Sequence, residues 1–349
     1  MTKTVGGRKM RQLPEGLEQI VTGERFRKAL GLPDRVEENY ELLAQGEYNR
    51  NFLFIHPVTG KKLILRLNFG SQMHLEHQIE YEYQALCLLK DSGRTPKPLY
   101  VDGSRQTSDQ GFLVMEFLPG RALDYRKDLL SAAECLADVH SVKLPEKHSL
   151  LCPKKPLQAI LEECEEMVKT YMDSPLGELQ TKREIRRLLD LGWRQADSLE
   201  KVPFQCCINT ELNSTNFLVN GPGEKTFLVD WEKPLYGDPA QDLGHFLAPT
   251  TTFWKTDVIL SKEEREAFVT AYIRFVGNGA LTEGIRERTR LYIPITCLRG
   301  ITWCAMAWVQ YRQPGRELVN ESTRKKLDEY LDAGFLAGIG SMIEGEREA

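Results

Sequence analysis

Apolar and polar positions change rhythm about a third of the way along the chain. Residues 15 to 31, "GLEQIVTGERFRKALGL", carry apolar residues at helical spacing. "YELLAQGEYNRNFLFIHPVTGKKLILRLNF" follows, with short alternating runs separated by turn residues at "AQGEYNR" and "HPVTGKK", which predicts three strands. "HLEHQIEYEYQALCLLKDSG" predicts a helix ending at Gly93, and "PLYVDG" and "GFLVMEFLPG" predict two more strands. Strands, one helix, then strands, with mostly hairpin connections, imply a small antiparallel sheet with a helix packed on it. After Leu118–Gly120 the pattern turns helical over residues 124 to 142, 156 to 199, 262 to 276, 283 to 311 and 322 to 344. The only sheet signal there is a hairpin near residues 217 to 230. This is an α+β, bilobed organisation: an N-terminal helical extension over 1–35, a sheet-and-helix lobe over 36–118 and a mainly helical lobe over 119–349.

Composition narrows the classes. The chain has 349 residues, is 41% hydrophobic and 28% charged, and carries a net charge of -4. That suits a globular protein with a real core and gives no reason to expect a nucleic acid or a membrane as partner. "MTKTVGGRKMRQLPEG" has no apolar core, so no signal peptide is expected. "GITWCAMAWVQY", between Arg299 and Arg312, is too short to span a bilayer and reads as a buried helix. The eight cysteines have no metal or ladder spacing and suit a reducing, cytoplasmic setting. Oligomeric state leaves no mark.

Two charges sit where the pattern asks for apolar residues. Alternation in "KLILRLNF" puts Leu63, Leu65 and Leu67 on one face and Ile64 with Arg66 on the other. In the following helix Ile79, Tyr83, Leu86 and Leu89 mark the apolar stripe, and Glu82 falls inside it. A buried carboxylate needs a cation or hydrogen-bond donors. A strand arginine facing a helix glutamate would satisfy both.

The densest chemistry lies in "INTELNSTNFLVNGPGEKTFLVDWEKPLYGDPAQDLGHF", residues 208 to 246. Asn209-Thr210-Glu211-Leu212-Asn213-Ser214-Thr215-Asn216, then a hairpin, Asp230 in an apolar strand and "YGDPAQDLG" resemble the protein-kinase-like fold. Within it the chain is similar to the aminoglycoside phosphotransferase and choline kinase group, from about residue 41 to 312. The resemblance implies an ATP- and magnesium-dependent transfer of the γ-phosphate to the hydroxyl of a small molecule: an aminoglycoside, a choline-like amino alcohol or a sugar. It implies Glu211 as the base, with Asn209 beside it, and Asn216 and Asp230 as metal ligands. Asp242 would hold the catalytic loop through its backbone amides. "AQGEYNRN", with Gly46 and Asn49, stands at the phosphate loop, and Arg66 and Glu82 at the phosphate-contacting cation and its partner. Met115, Glu116 and Phe117 stand where the adenine would dock. His140 reads as a packed core histidine.

The pattern departs from the family in two places. Glu211 stands for an aspartate and Asn209 for a histidine. A misplacement of about 1 Å can cost on the order of a hundredfold in rate, so a catalytically silent pseudokinase that binds nucleotide or a partner is the alternative. The otherwise intact set favours an active enzyme. A protein acceptor is the least favoured, because no long activation segment follows Asp230. For the acceptor, "TTTFWKTD" and the segment around Trp303 and Trp308 could form a cation-π box, though core packing suits those tryptophans better. The acidic run "LEECEEMVK" could draw a polycation, or simply be a solvated helix face.

Overall fold

The computed structural model describes residues 16–46, 48–106, 108–199, 202–277, 279–313 and 321–345. Residues 1–15 of the N-terminal extension and Glu47 of the expected phosphate loop lie outside them. The chain packs as two compact units. One takes the described residues up to Lys90, with Thr95–Pro119 and Trp231–Lys233; the other takes Asp91–Arg94, Gly120–Asp230 and the chain from Pro234 onward.

The first unit opens with two short helices, α1 (Glu18–Val21) and α2 (Glu24–Leu30), not one helix from 15 to 31. The break falls at Thr22-Gly23, and Gly31 ends α2 in the left-handed conformation at φ 67°. Strands β1 (Glu41–Gln45), β2 (Asn49–Ile55), β3 (Lys62–Asn68), helix α3 (Gln78–Leu89), β4 (Pro98–Asp102) and β5 (Gly111–Glu116) follow. The sheet runs β1-β2-β3-β5-β4, with every pair antiparallel. Strand β3 is central and buried on both faces. Leu63, Leu65 and Leu67 join Leu17, Ile20, Val21, Phe26, Phe52, Phe54, Phe112 and Val114 in one core, so α1 and α2 cover that face of the sheet. The opposite face of β3 carries Arg66, whose partner Glu82 lies on α3. The buried face of α3 is Ile79, Tyr81, Glu82, Ala85, Leu86 and Leu89. Tyr83, placed in the stripe by the sequence, is only half-buried. It lies one residue too far round the helix once Glu82 takes the centre.

The second unit contains β6 (Arg121–Ala122), α4 (Leu129–His140), α5 (Pro156–Asp173), α6 (Leu179–Ala196), β7 (Cys206–Ile208), β8 (Phe217–Val219), β9 (Phe227–Leu228), β10 (Leu235–Gly237), α7 (Pro239–Leu247), α8 (Pro249–Thr256), α9 (Lys262–Val276), α10 (Ile285–Gln310), α11 (Glu321–Tyr330) and α12 (Ala333–Gly345). The expected hairpin is β8–β9, extended by β6, and β7 pairs with β10. Residues 156 to 199 form two helices, because Ser174–Glu178 brings Pro175 and Gly177 into the run. Helix α10 crosses α7 so closely that a Cβ on Gly244 would stand 2.4 Å from the Tyr292 Cβ, so this position needs glycine. Among the described residues no helix is long and apolar enough to cross a membrane.

Candidate active site

In the first unit the Arg66 guanidinium is the centre of a polar cluster. Its Nε stands 3.1 Å from Glu82 Oε2, and its Nη2 donates to Glu232 Oε2 at 3.3 Å. The Arg66 side chain is 5% exposed and that of Glu82 2% exposed, so this is a desolvated pair that leaving either charge alone would make costly. Around Glu232, Asn49 Nδ2 donates to its carboxylate and Gln78 Nε2 donates to its backbone carbonyl at 2.7 Å. Asn49 Oδ1 in turn accepts from Asn68 Nδ2 at 2.9 Å, and the Gly46 N–H donates to the Asn49 carbonyl at 2.9 Å. Gly46, Asn49, Arg66 and Glu82 thus lie on one continuous arrangement.

Met115 pairs with Ile64 in the sheet and is half-buried. The backbone amides of the linker are engaged. The Glu116 N–H donates to the Lys97 carbonyl at 2.9 Å and the Phe117 N–H to the Lys62 carbonyl at 3.2 Å. This narrows the expected adenine contact: these two residues keep only their carbonyls for a base edge.

In the second unit Asp242, fully buried on α7, organises the loop before β8. Its carboxylate accepts the N–H groups of Asn209 and Thr210, both at 2.7 Å. His140, also fully buried, places Nε2 3.2 Å from the same carboxylate and Nδ1 2.9 Å from the Tyr272 hydroxyl. Thr210 is held at φ 68°, a strained conformation for a β-branched residue, and Asp230 at φ 65°. Non-glycine residues in this region persist only where the surroundings over-determine them. Here Asn209 does the fixing. Its Nδ2 donates to the Asp230 carbonyl at 2.8 Å and its Oδ1 accepts the Glu211 N–H at 3.1 Å. Asn209 is fully buried, and its side chain is bonded within the loop and to Asp230.

Asn216 closes the arrangement. Its Nδ2 donates to the Glu211 carbonyl at 2.9 Å, which turns its Oδ1 the other way, and its backbone carbonyl accepts the Val229 N–H at 2.9 Å. An amide oxygen fixed in this way is a suitable ligand for a hard cation such as magnesium. Among the described residues no group of three or more His, Cys, Asp or Glu side chains is placed to hold a metal. The two metal ligands expected from the sequence, Asn216 and Asp230, are one amide and one carboxylate.

Three partners were not legible beforehand. Arg299 on α10 donates from Nη2 to Glu211 Oε1 at 2.9 Å and is gripped by Glu163 on α5, Nε to Oε2 at 2.9 Å and Nη2 to Oε1 at 3.2 Å. Burial works against the Arg299 charge, but the Glu163 and Glu211 carboxylates outweigh it and hold the guanidinium above the usual arginine range. The third is Glu232. Strand β9 ends at Leu228 and Asp230 turns at φ 65°, so no strand alternation links Asp230 to Glu232, although the sequence pattern carries the apolar strand on to Asp230. Arg299 showed only as the charge that ends an apolar helical run.

The acceptor candidates change too. Glu163, Glu165 and Glu166, three of the four carboxylates in the α5 run, pair with Arg299, Arg186 and Lys169. Trp303 and Trp308 are half-buried, not fully core. Trp254 meets Trp303 edge-on at 5.3 Å, while Arg312 lies 3.6 Å over the Trp308 ring. The Trp308 face is already filled by a cation of the chain itself.

The sequence pattern of the phosphotransferase enzyme family matches residues 39–291. No curated protein matches the chain. Solved structures with the same fold include a spectinomycin phosphotransferase in complex with ADP and spectinomycin, at 15% identity and TM-score 0.60 over 88% of this chain and 93% of that one. A choline kinase from Cryptosporidium parvum aligns at 13% identity and TM-score 0.63 over 94% and 97%. A Plasmodium vivax ethanolamine kinase aligns at 14% identity and TM-score 0.57 over 86% and 84%. A sheet-and-helix unit with a buried Arg–Glu pair, and a helical unit with an aspartate-held loop, make up the protein-kinase-like fold shared with these structures. The chain belongs to the phosphotransferase enzyme family.

Proposed function

We propose that the protein transfers the γ-phosphate of ATP to a hydroxyl of a small molecule, with magnesium as cofactor. The observation that carries this is the loop from Asn209 to Asn216. Asp242 fixes its strained backbone, and Asn216 presents an amide oxygen while Asn209 ties down the Asp230 carbonyl. The support from relatives is that the spectinomycin phosphotransferase binds ADP and that choline and ethanolamine kinases share the fold.

In this reading Glu211 accepts or orients the proton of the acceptor hydroxyl. Asn216 and Asp230 would hold magnesium, which would supply neutralisation of charge on the phosphate oxygens. Arg66 contacts nucleotide phosphates and Glu82 sets its angle. Asn209 and Asp242 position the loop and touch no reactant. The adenine edge meets the Glu116 carbonyl, since the Glu116 and Phe117 amides are spent in the sheet. The acceptor is a small amino alcohol or sugar. With three carboxylates of α5 paired, that helix retains little to attract a polycationic aminoglycoside.

The Glu211–Arg299 ion pair gives footing to a second reading, in which Glu211 is structural and the protein binds nucleotide without turnover. Calorimetric titration with ATP, with and without magnesium, beside an Asp230→Ala variant, tests the metal site. The expected result is binding that needs magnesium and is weakened at least tenfold by the substitution. Tight binding indifferent to both would favour the silent protein, and no binding of any nucleotide would remove the kinase reading.

A further inference from the structure

The family pattern has an aspartate where this chain has Glu211, and the extra methylene carries the carboxylate about one bond further from the loop. Such a side chain gains rotamers that a base cannot use. The second unit removes that freedom. Arg299 donates to Glu211 Oε1 at 2.9 Å, and Glu163 holds the same guanidinium through both Nε and Nη2. The three side chains are 26% exposed at Glu211, 18% at Arg299 and 35% at Glu163. Glu163 grips the planar fork with two bonds, and its rigidity passes to the third. Their backbones belong to three elements: Glu163 to α5, Arg299 to α10, and Glu211 to the loop that Asp242 anchors. The orientation of Glu211 is therefore built into the helical core, not left to the loop.

We infer that Arg299, braced by Glu163, is a positioning residue that fixes the Glu211 carboxylate for the acceptor hydroxyl, and that Glu211 and Arg299 work only as a matched pair. This rests on the phosphotransfer reading above. The pair has a signature that a merely structural arginine lacks. Shortening the acid to aspartate pulls the carboxylate out of reach of Arg299, so Glu211→Asp is harmful while Arg299 is present and far less so once it is gone.

The test uses the full chain with ATP and magnesium as the probe. ADP formation is followed first with water and then with amino alcohols and sugars as acceptors. Four proteins are compared: wild type, Glu211→Asp, Arg299→Met and the double variant. In the wild-type background Glu211→Asp is expected to lower kcat by about a hundredfold. In the Arg299→Met background it is expected to lower kcat less than about tenfold. The affinity for ATP, read by calorimetry, stays within twofold throughout. Should Arg299→Met not fold, Glu163→Gln replaces it as the background, with the same narrowing expected at a smaller size. Equal losses in both backgrounds, or losses that appear in ATP affinity instead of kcat, overturn the pairing while leaving the wild type an active enzyme. A wild type that binds ATP and magnesium yet forms no ADP with any acceptor overturns the phosphotransfer reading, and this inference with it.

Discussion

Arg66 is held between two carboxylates, Glu82 at 3.1 Å and Glu232 at 3.3 Å, with its side chain 5% exposed. Such a charge is tolerated in the interior only because it is paired. Arg66→Ala takes the cation from two carboxylates at once. The expected loss is about 3–5 kcal/mol of unfolding free energy, together with weaker ATP binding. Arg66→Lys falls between, because an ammonium cannot span both acids as the guanidinium fork does. Denaturant unfolding beside ATP calorimetry checks this; an unchanged midpoint for Arg66→Ala would mean that other groups satisfy Glu82. Two of these three charges were legible in the sequence. Arg66 and Glu82 stood out because each interrupts an apolar face, an anomaly that local spacing reveals. Glu232 did not, since it lies 166 residues from Arg66 and nothing local marks that partnership. Asn209 shows the converse. Its place in the motif suggested chemistry, whereas its burial and its bonds to Glu211 and Asp230 make it a clamp.

Elements were read best where the hydrophobic period was long, as in α9 and α10, and worst where a short turn divides one pattern into two. The N-terminal pair α1 and α2 is such a case, and its role in covering the sheet could not be read from its own pattern. Arg27 of α2 fastens it. The guanidinium donates to the Val21 and Arg35 carbonyls, both at 2.7 Å, and to Glu38 at 3.0 Å. Burial pushes the Glu38 carboxyl up, but the Arg27 hydrogen bond and nearby amides bring it below its ordinary value. A carboxyl depressed in the folded state adds stability that is complete above its unfolded pKa, about 4.3. That stability is lost as pH falls through the lower folded value. The wild type is therefore expected to exceed Glu38→Gln in stability at pH 7, and the difference should narrow at an acidic pH below the unfolded value of about 4.3. Denaturant melts of both proteins at the two pH values would show it. A gap that does not narrow in acid would mean that Glu38 acts through shape and not charge.

At the scale of the whole molecule the two units are not two lengths of chain. The backbone passes between them after Lys90, Arg94, Pro119, Asp230 and Lys233. The tripeptide Trp231–Lys233 belongs to the first unit although it lies more than a hundred residues beyond the rest of it. Sequence alone put the division near Leu118–Gly120 and could not foresee this return, because a three-residue segment has no periodicity to read. The return has a physical consequence. Asp230 gives its carbonyl to Asn209 in the second unit, while Glu232, two residues on, gives its carboxylate to Arg66 in the first. A fragment ending at Pro119 would lack Glu232, which accepts from Arg66, Asn49 and Gln78. It would also lack Trp231, which is 1% exposed. Removing a buried tryptophan side chain alone costs about 3–5 kcal/mol, a large share of the roughly 5–15 kcal/mol that holds a typical domain. Residues 16–119 expressed alone are therefore expected to show no cooperative melting transition by circular dichroism and no measurable ATP binding. A fragment that melts cooperatively and binds ATP would show that the sheet, α3 and the Arg66–Glu82 pair suffice without the returning segment.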